Sequence, residues 1–193
     1  IQLPRSIAIP FGTFEHVLAA PENAKASATM DKLLATIDDS SGESLSLSLR
    51  QCRACARSVV PPAGMLQKLA DVMRDGGLTP PSDDDGWDLA WKALCDVWAS
   101  KWNERAYVSM RNRGLDHNKL RMSVLVQPVV NADHAFVIHT VNPSTNDQAE
   151  LYAELVQGLG ETLVGNYPGR ALSFTVAKNA DGTVSAPTLN GYP

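Results

Sequence analysis

The chain has 193 residues, 44% of them hydrophobic, and a formal net charge of -4. That is enough for one folded domain of ordinary size or one large lobe of a bigger one. The acidic balance argues against a general nucleic-acid binder, which would carry a basic patch or stripe, and no run of about 18 apolar residues offers a membrane span.

The first residue is Ile rather than Met, and the opening IQLPRSIAIP already reads as strand. The chain is therefore expected to be a piece of a longer protein, so the lack of a leader says nothing of compartment. Residues 4–11 form a short strand bracketed by prolines. Gly12 and Thr13 then cap a helix through FEHVLAA, with Glu15 in its first turn, where a negative charge is favoured. A second helix starts near Pro21 and runs through MDKLLATID to the polar stop at residues 38–42. Residues 44–60, SLSLSLRQCRACARSVV, alternate like a strand at first. They are expected to be helical because Pro61-Pro62 ends them and the helix AGMLQKLADVMRDGG follows at once.

After a turn-rich loop at 76–86 comes one long amphipathic helix. It carries all four tryptophans, at 87, 91, 98 and 102. At about 100° per residue they project within roughly 60° of one another, with Leu94 on the same stripe. Such a face must lie against something large. Lys101 falls near its edge and Arg105 in line with Trp87, so the end of a buried face carries cations, which the helix macrodipole favours by ~0.3 to 1 kcal/mol. For Arg105, a structural salt bridge and a positive end facing a phosphate-bearing cleft both fit.

Beyond this helix the period shortens. Residues 120–130 and 134–141, separated by Asn131-Ala132-Asp133, read as an antiparallel pair. Residues 150–155 alternate as a strand that runs into Gly158-Leu159-Gly160-Glu161, and a last hairpin from Arg170 turns at Asn179-Ala180-Asp181-Gly182. Helices first and an antiparallel sheet second define an α+β fold. The expected division is a helical lobe over 1–80, then the long tryptophan helix plus sheet over 81–193.

Several features that could carry chemistry have plain alternatives. Cys52, Cys55 and Cys95 are an odd set, pointing to a reducing compartment. The single Cys52-Arg53-Ala54-Cys55 pair lacks the further ligands of a structural zinc, so ordinary helix cysteines are expected. Asp83, Asp84 and Asp85 lack the EF-hand spacing and read as a solvated acidic loop. Glu150 and Glu154 would stand about 13 Å apart along a strand, wider than the ~5 to 9.5 Å of a glycosidase pair. His16, His117, His134 and His139 are scattered, and His139 reads as a core or interface histidine. Gln127-Pro128 interrupts an apolar strand. Proline there marks an edge or bulge, while free backbone groups beside a glutamine could also read the edge of a flat ring such as adenine. The Gly-Leu-Gly-Glu turn could cradle phosphate but matches no Walker or dinucleotide fingerprint.

The segments WASKWNERAY, LDHNKLRMSVLVQPVVNADHAFVIHTVNPS and YAELVQGLGETLVGNYPGRALSF closely resemble the plant and algal α-glucan water dikinases, the starch-phosphorylating enzymes. The resemblance begins at LPRSIAIPFGTFEHVL, weakens across 21–80 and is strong from Trp87 onward. It implies part of an ATP-grasp-type nucleotide-binding domain similar to that of pyruvate phosphate dikinase and phosphoenolpyruvate synthase. The implied reaction passes the β-phosphate of ATP through a phosphohistidine on a separate domain to a glucosyl unit of starch, while the γ-phosphate goes to water. Magnesium would accompany the ATP, with its ligands outside this segment, and tandem starch-binding modules would lie upstream. A plastid location and a homodimeric full-length protein are likewise implied.

Carried onto this chain, Gln127 matches the adenine-side glutamine, and Pro128, Val129 and Val130 match the hinge strand after it. Arg105 and Glu161 fall in family-like motifs and complete the expected cofactor-binding set. The phosphohistidine domain, a lysine-containing glycine-rich segment, an arginine-serine strand with its Gly-Glu-Asp-Leu turn and a Gln-Thr-Arg-Pro strand are absent. These residues alone are therefore expected not to be a competent kinase, and no catalytic or metal-ligating residue is assigned among them. The rival readings are a non-catalytic docking module for glucan or a neighbouring domain, with exposed aromatics, and a pyruvate-type dikinase domain.

Overall fold

The computed structural model describes residues 3–164 and 171–191, leaving aside the side chains of Thr162 and Val164. It divides into two compact units, Ile1–Pro128 and Val129–Pro193. The division thus falls at 128/129 rather than 80/81, because the tryptophan helix packs against the helices that precede it.

The first unit opens with strand β1 (Ile7–Ile9) and helix α1 (Thr13–Leu18). A 3-10 turn (Pro21–Asn23) leads into α2 (Ala24–Ile37), followed by α3 (Gly42–Arg57), α4 (Met65–Asp75) and α5 (Asp84–Ala99). The 44–60 segment is thus helical almost to its proline stop. The Asp83 side chain accepts from the Gly86 N–H at 2.8 Å, and Asp84 and Asp85 lie in the first turn of α5. The three aspartates begin a helix, where their charge complements the orphan amides.

The expected single long helix is in fact two. After α5 comes a 3-10 turn at Ser100–Trp102, and Asn103 is extended, with ψ 137°, before α6 (Glu104–Asn112). The wheel that set Arg105 beneath Trp87 stops applying at that break. A further 3-10 turn at His117–Lys119 precedes β2 (Val124–Val126).

Three of the four indoles form the core as expected. Trp91, Trp98 and Trp102 are buried, while Trp87 is half-buried at the first turns. Phe14 lies 5.4 Å from Trp98 and 5.7 Å from Trp102 between ring centroids, and Trp91 meets Trp98 edge-on at 5.7 Å. Met30, Leu49, Cys52 and Tyr107 complete the same cluster. Trp91 also donates from Nε1 to the Val59 carbonyl at 2.8 Å, which ties α5 to the end of α3. Asn23, 3% exposed, is a second tie. Its Nδ2 donates to the carbonyls of Val17 and Val60, and its Oδ1 accepts from the Val60 N–H.

The expected pairing of residues 120–130 with 134–141 does not occur. β2 is three residues long and pairs antiparallel with β1, in the register Ile7↔Val126 and Ile9↔Val124. Ile9 and Val124 both face the aromatic cluster. Pro128 has no N–H to extend a ladder, so β2 ends before it and the first unit closes on its own opening strand.

In the second unit β3 (His134–His139), β4 (Glu150–Gln157), β5 (Leu172–Ala177) and β6 (Thr188–Gly191) form an antiparallel meander in that order. A short helix α7 (Glu161–Val164) follows β4. The turn at residues 179–182 is present, closed by the Gly182 N–H on the Asn179 carbonyl. Arg170, where that hairpin was expected to open, lies outside the described residues. Cross-strand rows sort the sheet by polarity. One face carries Phe136↔Leu155↔Leu172 and the row Ile138, Ala153, Phe174 and Leu189; the other carries Val137↔Glu154↔Ser173 and His139↔Tyr152↔Thr175.

The helices-then-sheet order therefore stands, as a mixture of helix and antiparallel sheet with one small two-stranded ribbon inside the helical unit.

Candidate functional site

Residues 127–130 follow β2 and belong to no strand. All four are exposed, Val129 by 83%. Among the described residues none of their backbone groups is hydrogen-bonded. The cause is local, since Pro128 cannot donate and the ribbon has already ended. The consequence is a short stretch in which the N–H groups of Gln127, Val129 and Val130 and all four carbonyls are free of partners among the described residues. Backbone donors and acceptors in succession suit the edge of a purine, and a glutamine amide can supply either role.

Arg105 is the second residue of α6 and is exposed. It makes no ion pair among the described residues, so the structural salt bridge is not formed there and the guanidinium points to solvent. Glu161 begins α7 and is also exposed. The Gly-Leu-Gly-Glu turn before it has a definite shape. Gly158 takes φ +81°, a conformation that favours glycine, and its N–H donates to the Asp133 carbonyl at 2.8 Å. A side chain at Gly160 would meet the Ala135 Cβ at 3.5 Å. The turn is thereby fastened to the end of the β3–β4 pair. Among the described residues no hydrogen bond or ion pair joins any two of Arg105, Gln127, Pro128, Val129, Val130 and Glu161. Arg105, Gln127 and Pro128 belong to the first unit and Val129, Val130 and Glu161 to the second.

Other polar candidates are engaged otherwise. Asn142 donates to Glu150 Oε2 at 2.7 Å, and the Tyr152 hydroxyl donates to Glu154 Oε1 at 3.0 Å. His139 is exposed rather than a core residue, 6.0 Å from the Tyr152 ring, because its strand lies at the edge of the sheet. Cys52, Cys55 and Cys95 are buried free thiols, and burial raises the pKa of each, that of Cys52 and Cys95 to about 11. They are protonated and unreactive at neutral pH.

A buried polar group around Lys101 escapes sequence reading. Lys101 is 8% exposed, with Nζ 5.1 Å above the Trp102 ring. Burial lowers its pKa, and the nearby Glu15 carboxylate opposes that shift. Glu15 Oε1 lies 3.4 Å from Arg121 Nε, while Oε2 is buried without a partner among the described residues. His117 is 6% exposed, with Nε2 2.9 Å from the Lys101 carbonyl. The only sequence signal was the position of Lys101 at the edge of the tryptophan stripe; the other members are brought in by tertiary folding.

A groove of about 510 Å3 in the first unit runs between β1 and α4, walled by Ile9, Phe11, Met65 and Leu69 with His16 and Lys68 beside them. None of the six expected binding residues lines it.

The family model described as pyruvate phosphate dikinase, AMP/ATP-binding domain, matches residues 67–184, which include residues 127–130, Arg105 and Glu161. That is more than half of the chain, and the chain belongs to this family of nucleotide-binding domains. Its likeness to particular members is closer still. Over its whole length it is 46% identical to alpha-glucan water dikinase 1, chloroplastic, of Arabidopsis thaliana and 45% identical to the alpha-glucan water dikinase, chloroplastic, of Solanum tuberosum. Over 67 residues, 35% of the chain, it is 40% identical to phosphoenolpyruvate synthase of Pyrococcus furiosus, covering 8% of that protein. The chain spans 13% of the length of the two water dikinases.

Proposed function

We propose that the chain is the adenine-side part of an ATP-binding domain in an α-glucan water dikinase. The observation that carries this reading is the coincidence of the whole-chain likeness to water dikinases with an exposed, backbone-unpaired stretch at residues 127–130 inside the AMP/ATP-binding match. In this reading the Gln127 amide and the backbone of residues 128–130 hold the purine, and Arg105 and Glu161 act toward the phosphate end. The domain is of the ATP-grasp type. The complete enzyme transfers the β-phosphate of ATP through a phosphohistidine to glucosyl units of starch in the plastid and releases the γ-phosphate to water. Starch and the phosphohistidine domain are engaged by other parts of that enzyme, which works as a homodimer.

Magnesium belongs to this chemistry, where it would offset the charge of the phosphates. Among the described residues no three His, Cys, Asp or Glu side chains come together as a metal site. The described residues thus offer the ion no such site, and its ligands are expected from other parts of the enzyme.

Burial of Trp91, Trp98 and Trp102 disfavours glucan docking through these aromatics. The pyruvate-type alternative is disfavoured by extent, since the synthase likeness covers about a third of the chain.

The test is Gln127→Ala in the full-length enzyme. Loss of the side-chain hydrogen bonds should weaken ATP binding by about tenfold in a calorimetric titration, and unchanged affinity would remove the purine assignment. The 193-residue chain should take up no label from β-labelled ATP, and a labelled chain would refute the reading that these residues alone are not a competent kinase.

A further inference from the structure

The break between α5 and α6 leaves a gap in a buried backbone. In a continuous helix the carbonyls of Lys101 and Trp102 would accept from the amides of residues 105 and 106. The extended Asn103 diverts the chain, and those amides instead lie in the first turn of α6, which has no intrahelical acceptor for them. Lys101 and Trp102 are 8% and 1% exposed, so carbonyls left unpaired here would be costly. Each is met by a side chain from elsewhere in the first unit. His117 Nε2 donates to the Lys101 carbonyl at 2.9 Å, and Arg53 Nη1 from α3 donates to the Trp102 carbonyl at 2.6 Å.

Further contacts hold α6 on the same side. The His117 ring lies 4.7 Å from that of Tyr107 on α6, and the Tyr107 hydroxyl donates to Asp38 Oδ1 at 2.7 Å. Arg111 on α6 donates to the carbonyls of Asp38 and Ser40. The first turn of the helix aimed in this way carries Arg105.

We propose that His117 and Arg53 are positioning residues of the nucleotide site, which set the direction of α6, and so the place of the Arg105 guanidinium, by occupying the two carbonyls freed at the break. This rests on the reading of Arg105 as a residue that acts toward ATP.

The state of His117 follows from its partners. A carbonyl only accepts, so Nε2 carries the proton, and Nδ1 is buried with no partner among the described residues. A second proton would sit on that unpartnered nitrogen. Burial is the main cause that lowers the His117 pKa, and the charge of Lys101 lowers it further; the Lys101 carbonyl, Asp38 and Asp116 pull the other way. Tyr107 and Arg111 line the same hollow. A proton on Nδ1 would leave the Nε2–H bond in place but bury an unpaired charge beside it, so the stabilisation from neutral His117 is whole above about pH 6.5, the ordinary histidine value, and is lost as pH falls through the depressed value.

The experiment is calorimetric titration of the full-length dikinase with ATP, well below the unfolding midpoint of each variant. The variants are Arg105→Ala, His117→Leu, His117→Gln and the double Arg105→Ala/His117→Leu. Glutamine keeps an N–H near the place of Nε2, and leucine keeps bulk alone. His117→Leu should weaken ATP binding about tenfold, and His117→Gln should stay within about threefold of wild type. The double variant should bind no more weakly than Arg105→Ala, because a side chain already removed cannot be misplaced. As pH falls through the depressed His117 value the wild type should lose more affinity than His117→Gln, a comparison in which the protonation of ATP itself cancels. Arg53→Met repeats the cycle if His117→Leu does not fold. Wild-type affinity in a folded latch variant, or additive losses in the double variant, overturns the positioning role while leaving the purine reading intact. Wild-type affinity in Arg105→Ala removes the residue being positioned, and the inference falls with it, whereas the purine reading is decided separately by Gln127→Ala.

Discussion

Asn23 shows how much of the first unit hangs on single polar side chains. Its amide makes three hydrogen bonds to backbone groups at the ends of α1 and α3 from a position 3% exposed. Asn23→Ala strands those groups and should cost about 2 to 3 kcal/mol, read as a lower urea midpoint followed by tryptophan fluorescence. All four tryptophans lie in the first unit, so the probe reports that unit alone. The same probe reads His117. Its depressed pKa means that the stabilisation is whole above about pH 6.5 and lost as pH falls through the folded value. The wild-type midpoint should drop on acidification, and His117→Gln should flatten that drop. Little of this was legible in the sequence. The indole stripe could be read because burial on a helix has a period, and three of the four indoles obey it. The burial of His117 depends on a carbonyl 16 positions away, and no spacing rule encodes that.

At the scale of elements, local signals did well where the chain's own chemistry decides and failed where a distant partner does. Pro61-Pro62 follow close on the end of α3 and Gly158 turns the chain after β4, whereas Asp83, expected in an acidic loop, caps α5. Asp83→Ala should cost about 1 kcal/mol through the lost cap, measured by the same urea unfolding, while leaving the fold unchanged. Hydrophobic periodicity could not foresee the break at Asn103, because Trp102 and Tyr107 are both buried and the apolar pattern continues across it. Nor could it choose the partner of β2. Val124 and Val126 would suit either neighbour, and the selection was made by β1, whose Ile9 brings its side chain to the same aromatic cluster. The stretch at Gln127-Pro128 was legible as an irregularity, but the exposure of its backbone follows from where β2 ends, which β1 decides.

At the scale of the whole molecule, two units meet in sequence at the stretch proposed to hold ATP. An exposed segment without backbone hydrogen bonds is a ready substrate for proteases. Elastase, which cuts after small aliphatic residues, should cleave beside Val129 or Val130 and release two fragments identifiable by mass. Saturating ATP should slow that cut in the full-length enzyme, whereas an equal rate with and without nucleotide would count against residues 127–130 as the purine edge. The expected division at 80/81 followed a change of composition, but cohesion follows packing, and the tryptophans tie α5 to what comes before it.

The ribbon of β1 and β2 also bears on how the protein is made. Ile7 finds its cross-strand mate at Val126, over a hundred residues later, and contacts so far apart in sequence form late and slowly. On the ribosome, α1 to α6 can emerge and begin to collapse, yet the opening strand waits unpaired until translation has delivered β2 past the exit tunnel. During that interval its bare backbone edge is open to mispairing, and chaperone protection should matter there.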